Sequence, residues 1–186
     1  MADELIDILD DNMDVITTCL KSKAHKKGWL HPTVHIWLYT NTGDLLFQKR
    51  SKDKIVFPDL WDISVAGHIG AGEDEISAVR REFFEEIGLQ VVVGDLFKIG
   101  TFIEKFQHGD EFIDNEIHHI YLYNLITNMN LLKIQKEELS ELRLIHIEEF
   151  ERLRNELNFE TTFVPHQADY YDFILNEIRL KLLEIQ

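Results

Sequence analysis

The 186-residue chain reads as an α+β protein, strands joined by few helices, and three stretches carry that reading. Residues 33–40 alternate Val34, Ile36 and Leu38 with His35, Trp37 and Tyr39, the two-residue period of a strand. Ile76, Val79, Phe83 and Ile87 fall on one stripe at helical spacing, and Gly88 stands where a left-handed cap would stop the helix. A longer run of the same spacing fills residues 167–184.

In chain order, residues 4–9 and 15–20 read as an N-terminal hairpin (4–20) turned by Asp10-Asp11-Asn12, whose side chains hydrogen-bond their own backbone in tight turns. The strand over 33–40 turns at Asn41-Thr42-Gly43-Asp44 into a second over 45–49. A short strand over 61–65 delivers the glycine-bearing loop Gly67 to Gly72, and Glu73, Asp74 and Glu75 fill the first helical turn, where carboxylates complement the helix dipole. Leu89 opens the next strand segment, with strands expected over 91–102, 112–126 and 142–147. Helices follow over 148–156 and 167–184, the last entered after Pro165. With no repeat, linker or low-complexity tract, residues 1–186 are expected to form one domain.

Composition narrows the function classes. A hydrophobic content of 45% supports a real core, and the lone Cys19 rules out an intrachain disulfide framework. The acidic N-terminus lacks a signal pattern and no apolar run approaches the roughly 20 residues of a membrane span, so a cytoplasmic setting is expected. The net charge of −15 argues against nucleic acid, and an anionic ligand would need a local cation. Two basic islands stand out: Lys21, Lys23, Lys26 and Lys27 read as loop lysines in solvent, while Lys49, Arg50, Lys52 and Lys54 include Arg50 and Lys54 as candidate phosphate contacts.

The chemistry centres on Glu82, Glu85 and Glu86. Positions three and four apart share a helix face, so these carboxylates span an arc of roughly 100°, off the core stripe. Like charges at that spacing cost on the order of 0.2–0.5 kcal/mol, which a divalent cation would remove. The wider pattern is more specific: Gly67, five residues, Glu73, seven residues, then Arg81-Glu82-Phe83-Phe84-Glu85-Glu86-Ile87-Gly88-Leu89. It fills each fixed place of the Nudix box (67–89), and the chain therefore resembles the Nudix hydrolases.

The resemblance implies a fold, a mixed β-sheet sandwiched between α-helices, and an activity. Mg²⁺ or Mn²⁺ held by Glu82, Glu85 and Glu86, with the Gly67 carbonyl, would serve hydrolysis of a phosphoanhydride in a nucleoside di- or triphosphate or a related diphosphate. Glu85 or Glu86 would also serve as base, with Glu116, Glu137 and Glu138 as outside candidates, and Arg81 would pair with Glu73 to orient the glutamates. The partner is a small-molecule diphosphate.

A closer likeness runs through AHKKGWLHPTVHIWLY, WDISVAGHIGAGE and DNEIHHIYLY, beginning at Ala24, Trp61 and Asp114. These segments resemble type I isopentenyl-diphosphate isomerase, in which three histidines and two glutamates hold a metal. The matching positions are His25, His31, His68 and Glu116, with Asp114 at the remaining acidic place. Taken singly, the histidines read as packing or solvent-facing residues, and only the resemblance groups them. Two departures point from isomerisation to an isomerase-like hydrolase: Ala66 stands at or near the place of the catalytic cysteine, and the box is intact. The His25-to-His31 spacing is also shorter. An isomerase-like activity and a non-catalytic sensor are the rival readings. Trp29, Trp37, Trp61, Phe102 and Phe106 could stack a base but read first as core.

Overall fold

A computed structural model describes residues 3–109 and 111–185, so the ends of the 1–186 span lie outside it. The hairpin forms as expected: β1 (Leu5–Leu9) pairs antiparallel with β2 (Val15–Leu20), and Asp10 Oδ1 accepts from the Asn12 and Asp14 amides in the turn. The first basic island is a helix, not a loop. α1 (Lys21–Lys27) buries Ala24 and His25 and ends at Gly28, whose φ of 61° lets its amide reach the Ala24 and His25 carbonyls.

The main sheet is mixed. β3 (His31–Tyr39) lies parallel to β8 (Phe112–Asn124), which pairs antiparallel with β7 (Leu96–His108). On its other side β3 turns into β4 (Asp44–Arg50) but leaves it after the Tyr39–Leu45 pair. β4 then pairs with β5 (Trp61–Asp62) and β9 (Leu139–His146), while β3 pairs with β6 (Val65–His68). The single strand expected over 61–65 is thus two, because β3 and β4 diverge there. Ser64 stitches the gap: its hydroxyl donates to the Leu46 carbonyl (2.5 Å) and accepts from the Leu38 amide (2.8 Å).

Helices cover both faces, as the box resemblance implied. α2 (Glu75–Ile87) lays Val79, Phe83 and Ile87 on Val34, Ile36 and Leu38 of β3. On the opposite face, α3 (Ile147–Arg154) and α4 (Ala168–Ile185) bring Phe150, Tyr170, Tyr171 and Ile174 against Trp37, Tyr39 and Phe47. The alternation in β3 therefore separates two cores, not core from solvent. Each fully buried Phe or Ile contributes about 1.5–3 kcal/mol to that sandwich. Boundaries shift where burial fails. Val92 and Val93 are exposed and the seventh strand starts only at Leu96, running on to His108; Ile126 is exposed and lies beyond the end of β8. No described helix is long and apolar enough to cross a membrane.

Candidate active site

The box folds around one arginine. Asp74 caps α2 by accepting from the Ser77 amide, so Glu73 sits before the helix and not in its first turn. Glu73 instead accepts from the Gly70 amide (2.9 Å) and from Arg81 Nε and NH2 (3.0 and 2.8 Å). Arg81 also donates to the His68 carbonyl (2.8 Å), tying loop to helix. The expected Arg81–Glu73 pair is formed, and Arg81 reaches the glutamates as well: NH1 donates to Glu82 (2.5 Å) and Glu85 (3.4 Å).

The three box glutamates occupy different environments. The Glu85 side chain is 50% exposed, that of Glu82 only 13%, and Glu86 is buried, contrary to three carboxylates all clear of the core. Glu86 accepts from the Ala66 amide (3.2 Å). Glu82 lies so close to Gly67 that an added Cβ would fall 1.9 Å from its carboxyl carbon. Burial pushes Glu82 up to about 7 despite Arg81, and burial with the neighbouring Glu82 charge pushes Glu86 well above the carboxylate range. Two largely sequestered carboxylates, one of them beside Arg81 and pressed on a glycine backbone, suit a hard divalent cation.

A second constellation assembles on adjacent strands. His31 starts β3 opposite Glu116 of β8, His68 ends β6 opposite Thr33, and α1 brings His25 over them. The Nε2 atoms of His31 and His68 lie 3.1 and 3.3 Å from His25 Nε2, and each is 3.4 Å from Glu116 Oε1. These four residues offer donor atoms all within 4.8 Å of one another; among the described residues only His35, Glu116 and His118 form another such group, and the box glutamates do not. His31 Nδ1 must donate to the Trp29 carbonyl (2.8 Å), which leaves the Nε2 lone pair of the neutral ring facing the cluster. Facing imidazole nitrogens beside a carboxylate form a donor set fit for a transition-metal ion or Zn²⁺. Burial, with His68 and His31 close by, lowers His25 to about 3. Burial and the Glu116 charge raise Asp114, 3.7 Å from His25, to about 7. So the histidines that read singly as packing residues converge, with Asp114 at their edge.

Both constellations open on one cavity of about 590 Å³. Arg50 and Lys54 line it but are already engaged: Arg50 donates to Asp62 (2.9 Å) and, through Nε and NH2, to the Val56 carbonyl, and Lys54 pairs with Glu138. Glu138 therefore reaches the cavity, whereas Glu137 is exposed and does not line it. Of the five aromatics singled out from sequence, Phe106 lines the cavity; Trp37 and Trp61 are core.

Sequence reasoning missed the inner wall. His166 bridges two buried carboxylates, Nδ1 to Glu104 (2.5 Å) and Nε2 to Asp62 (3.2 Å). His118 stacks on His35 with centroids 3.7 Å apart. The available signal was charge inside apolar alternation: Glu104 interrupts Phe102 and Phe106 on β7, and His118 shares a face with Ile120 and Leu122 on β8.

A family model for the NUDIX domain matches residues 29–167. An uncharacterized Nudix hydrolase of Clostridium acetobutylicum is 31% identical over 96% of this chain and 98% of its own length. The isopentenyl-diphosphate Delta-isomerase of Pectobacterium atrosepticum is 28% identical over 61% of this chain and 62% of its own. A crystal structure of a Deinococcus radiodurans protein superposes with a TM-score of 0.62 at 21% identity, covering 81% of this chain and 89% of that one, and supports the fold. The chain belongs to the Nudix hydrolase family, as an enzyme of the pyrophosphohydrolase kind with isopentenyl-diphosphate isomerases among its relatives.

Proposed function

We propose that the protein hydrolyses a phosphoanhydride bond in a small-molecule diphosphate, with nucleoside di- and triphosphates as leading candidates, in a reaction that depends on Mg²⁺ or Mn²⁺. One observation carries this reading: buried Glu86 and largely enclosed Glu82 lie with Glu85 along the wall of a cavity large enough for such a ligand. Bound by Glu82, Glu85, Glu86 and the Gly67 carbonyl, a divalent cation would neutralise diphosphate charge and favour attack at phosphorus.

The chain supplies the rest. Arg81 holds Glu73 and the His68 carbonyl, fixing loop and helix in register. Glu86, anchored by the Ala66 amide, is the rigid ligand of the set, and half-exposed Glu85 is the carboxylate open to take a proton from attacking water. Arg50 and Lys54, each already paired, add positive potential at the cavity wall rather than a free end. The test is release of phosphate or pyrophosphate with Mg²⁺ from nucleotides, nucleotide sugars, thiamine diphosphate and isoprenoid diphosphates. Glu85→Gln and Glu86→Gln should each lower turnover by orders of magnitude in a folded protein, and unchanged turnover in both overturns the assignment.

The histidine cluster favours a second reading, isomerisation of isopentenyl diphosphate. Ala66 supplies no thiol, and Cys19 packs with Ile6, Ile8 and Ala24 in the hairpin cluster, away from the cavity. Interconversion of isopentenyl and dimethylallyl diphosphates without hydrolysis would establish that reading instead.

A further inference from the structure

The inner wall of the cavity presents one hydrogen-bond donor whose orientation follows from its neighbours. Tyr170 Oη accepts from Trp37 Nε1 (3.0 Å) and lies 2.8 Å from His35 Nδ1. Tyr170 is fully buried, and His35 Nδ1 is the acceptor available to its hydroxyl proton among the described residues. If His35 is neutral, its proton is therefore on Nε2; if it is charged, Nε2 carries one as well. That Nε2–H has no protein acceptor among the described residues, yet it is not one of the sealed, unpaired atoms of the interior, and His35, only 5% exposed, lines the cavity.

The surroundings hold this donor still, with Glu116 and His118 close to the His35 ring but not hydrogen-bonded to it. The His35 ring is stacked on His118, whose Nδ1 lies 2.7 Å from Thr33 Oγ1. Behind them Glu104 is occupied by His166 and by the Gln167 amide (2.7 Å). His35 faces Ala66 across the β3–β6 ladder, and the Ala66 amide holds Glu86, so the donor stands one strand from the box.

We propose that His35 Nε2–H is a specificity-determining contact that binds an oxygen or nitrogen acceptor on the group attached to the diphosphate. The site then favours diphosphates of polar groups over plain hydrocarbon chains such as isoprenyl. The discrimination arises from asymmetry: a ligand without an acceptor strips water from the donor and returns nothing, a loss worth roughly ten- to a hundredfold in affinity. This inference rests on the proposed placement of diphosphate at the box, but binding tests it apart from hydrolysis.

The experiment is calorimetry with inorganic pyrophosphate, uridine diphosphate, dimethylallyl diphosphate and the terminally hydroxylated form of dimethylallyl diphosphate, all with Mg²⁺. The hydroxylated ligand should bind at least tenfold more tightly than its hydrocarbon parent. His35→Phe, which keeps the stacked ring, should erase that difference and leave pyrophosphate affinity unchanged; His35→Gln, which keeps a donor and an acceptor, should restore most of it. Equal affinity for the matched pair in the wild-type protein overturns the inference. So does a His35→Phe variant that weakens pyrophosphate as much as the polar ligands, since the donor would then serve the phosphate. If the matched pair separates but no diphosphate is hydrolysed, the hydrolase reading fails and the recognition site stands.

Discussion

Replacing Gly67 with Ala would put a Cβ 1.9 Å from the Glu82 carboxyl carbon. The obstructing atoms end a flexible side chain, so the backbone can stay while Glu82 moves. Thermal stability should hold within a few degrees while turnover falls about a hundredfold, the usual cost of an ångström's displacement in a reacting group; a full-rate variant would separate Glu82 from the chemistry. His166 makes a different prediction. Burial opposes its charge, but the hydrogen bonds and charges of Asp62 and Glu104 prevail and raise its pKa to about 9, against about 6.5 when unfolded. Between those values the folded state keeps a proton that the unfolded state has lost. Its contribution is complete below about pH 6.5 and falls by up to ~1.4 kcal/mol per unit as pH rises through about 9, a total of roughly 3 kcal/mol. Urea unfolding at pH 6, 7.5 and 9 should show this slope, and His166→Gln should flatten it. The box residues were legible because their identities are fixed by role at fixed spacing. His166 was not, because what defines it are Glu104 and Asp62, 62 and 104 positions away.

Along β3 the odd-numbered side chains pass from chemistry to core: His31 joins the histidine cluster, Thr33 and His35 line the cavity, Trp37 and Tyr39 pack under α4. β8 repeats the gradient with Glu116, His118, Ile120 and Leu122. Strand periodicity shows which residues share a face, but the point where that face changes from cavity to core depends on where α4 lands. α1 was illegible for a related reason. A seven-residue segment with four lysines shows no apolar stripe, and only packing reveals that it delivers His25. In contrast, α2 announced itself by its apolar stripe and terminal glycine, though not by its cap at Asp74. Its cap is testable: Asp74→Ala removes the acceptor for the Ser77 amide and hydroxyl and should cost ~1 kcal/mol, lowering the melting temperature by about 2–4 °C. No change in melting would show that the loop, not the cap, sets the start of α2.

At the scale of the molecule, three separate parts meet on one cavity: the box, the β3–β6–β8 strand ends with α1, and the segment entering α4. The box was read from the residues, and the resemblance it carried foretold the sandwich and grouped the histidines, while the third part came only with the folded chain. If the histidine cluster holds a cation, adding Mn²⁺ or Zn²⁺ at about a hundred times its dissociation constant should add ~2.7 kcal/mol and raise the melting temperature by about 5–10 °C. A chelator should reverse the gain, and the His25→Ala, His31→Ala double variant should lose it. An unchanged metal response in that variant would place the cation elsewhere.

The Tyr170 hydroxyl has a consequence for engineering. It sits on the C-terminal helix, outside the box, yet its proton dictates what the cavity floor can offer a ligand. On the proposed function and recognition contact, chemistry and choice of substrate lie in separate stretches of chain, the box for one and His35 with Tyr170 for the other. A library varied at Tyr170 alone, with His166 and residues 67–89 untouched, would search for new ligands while leaving the proposed hydrolytic residues in place.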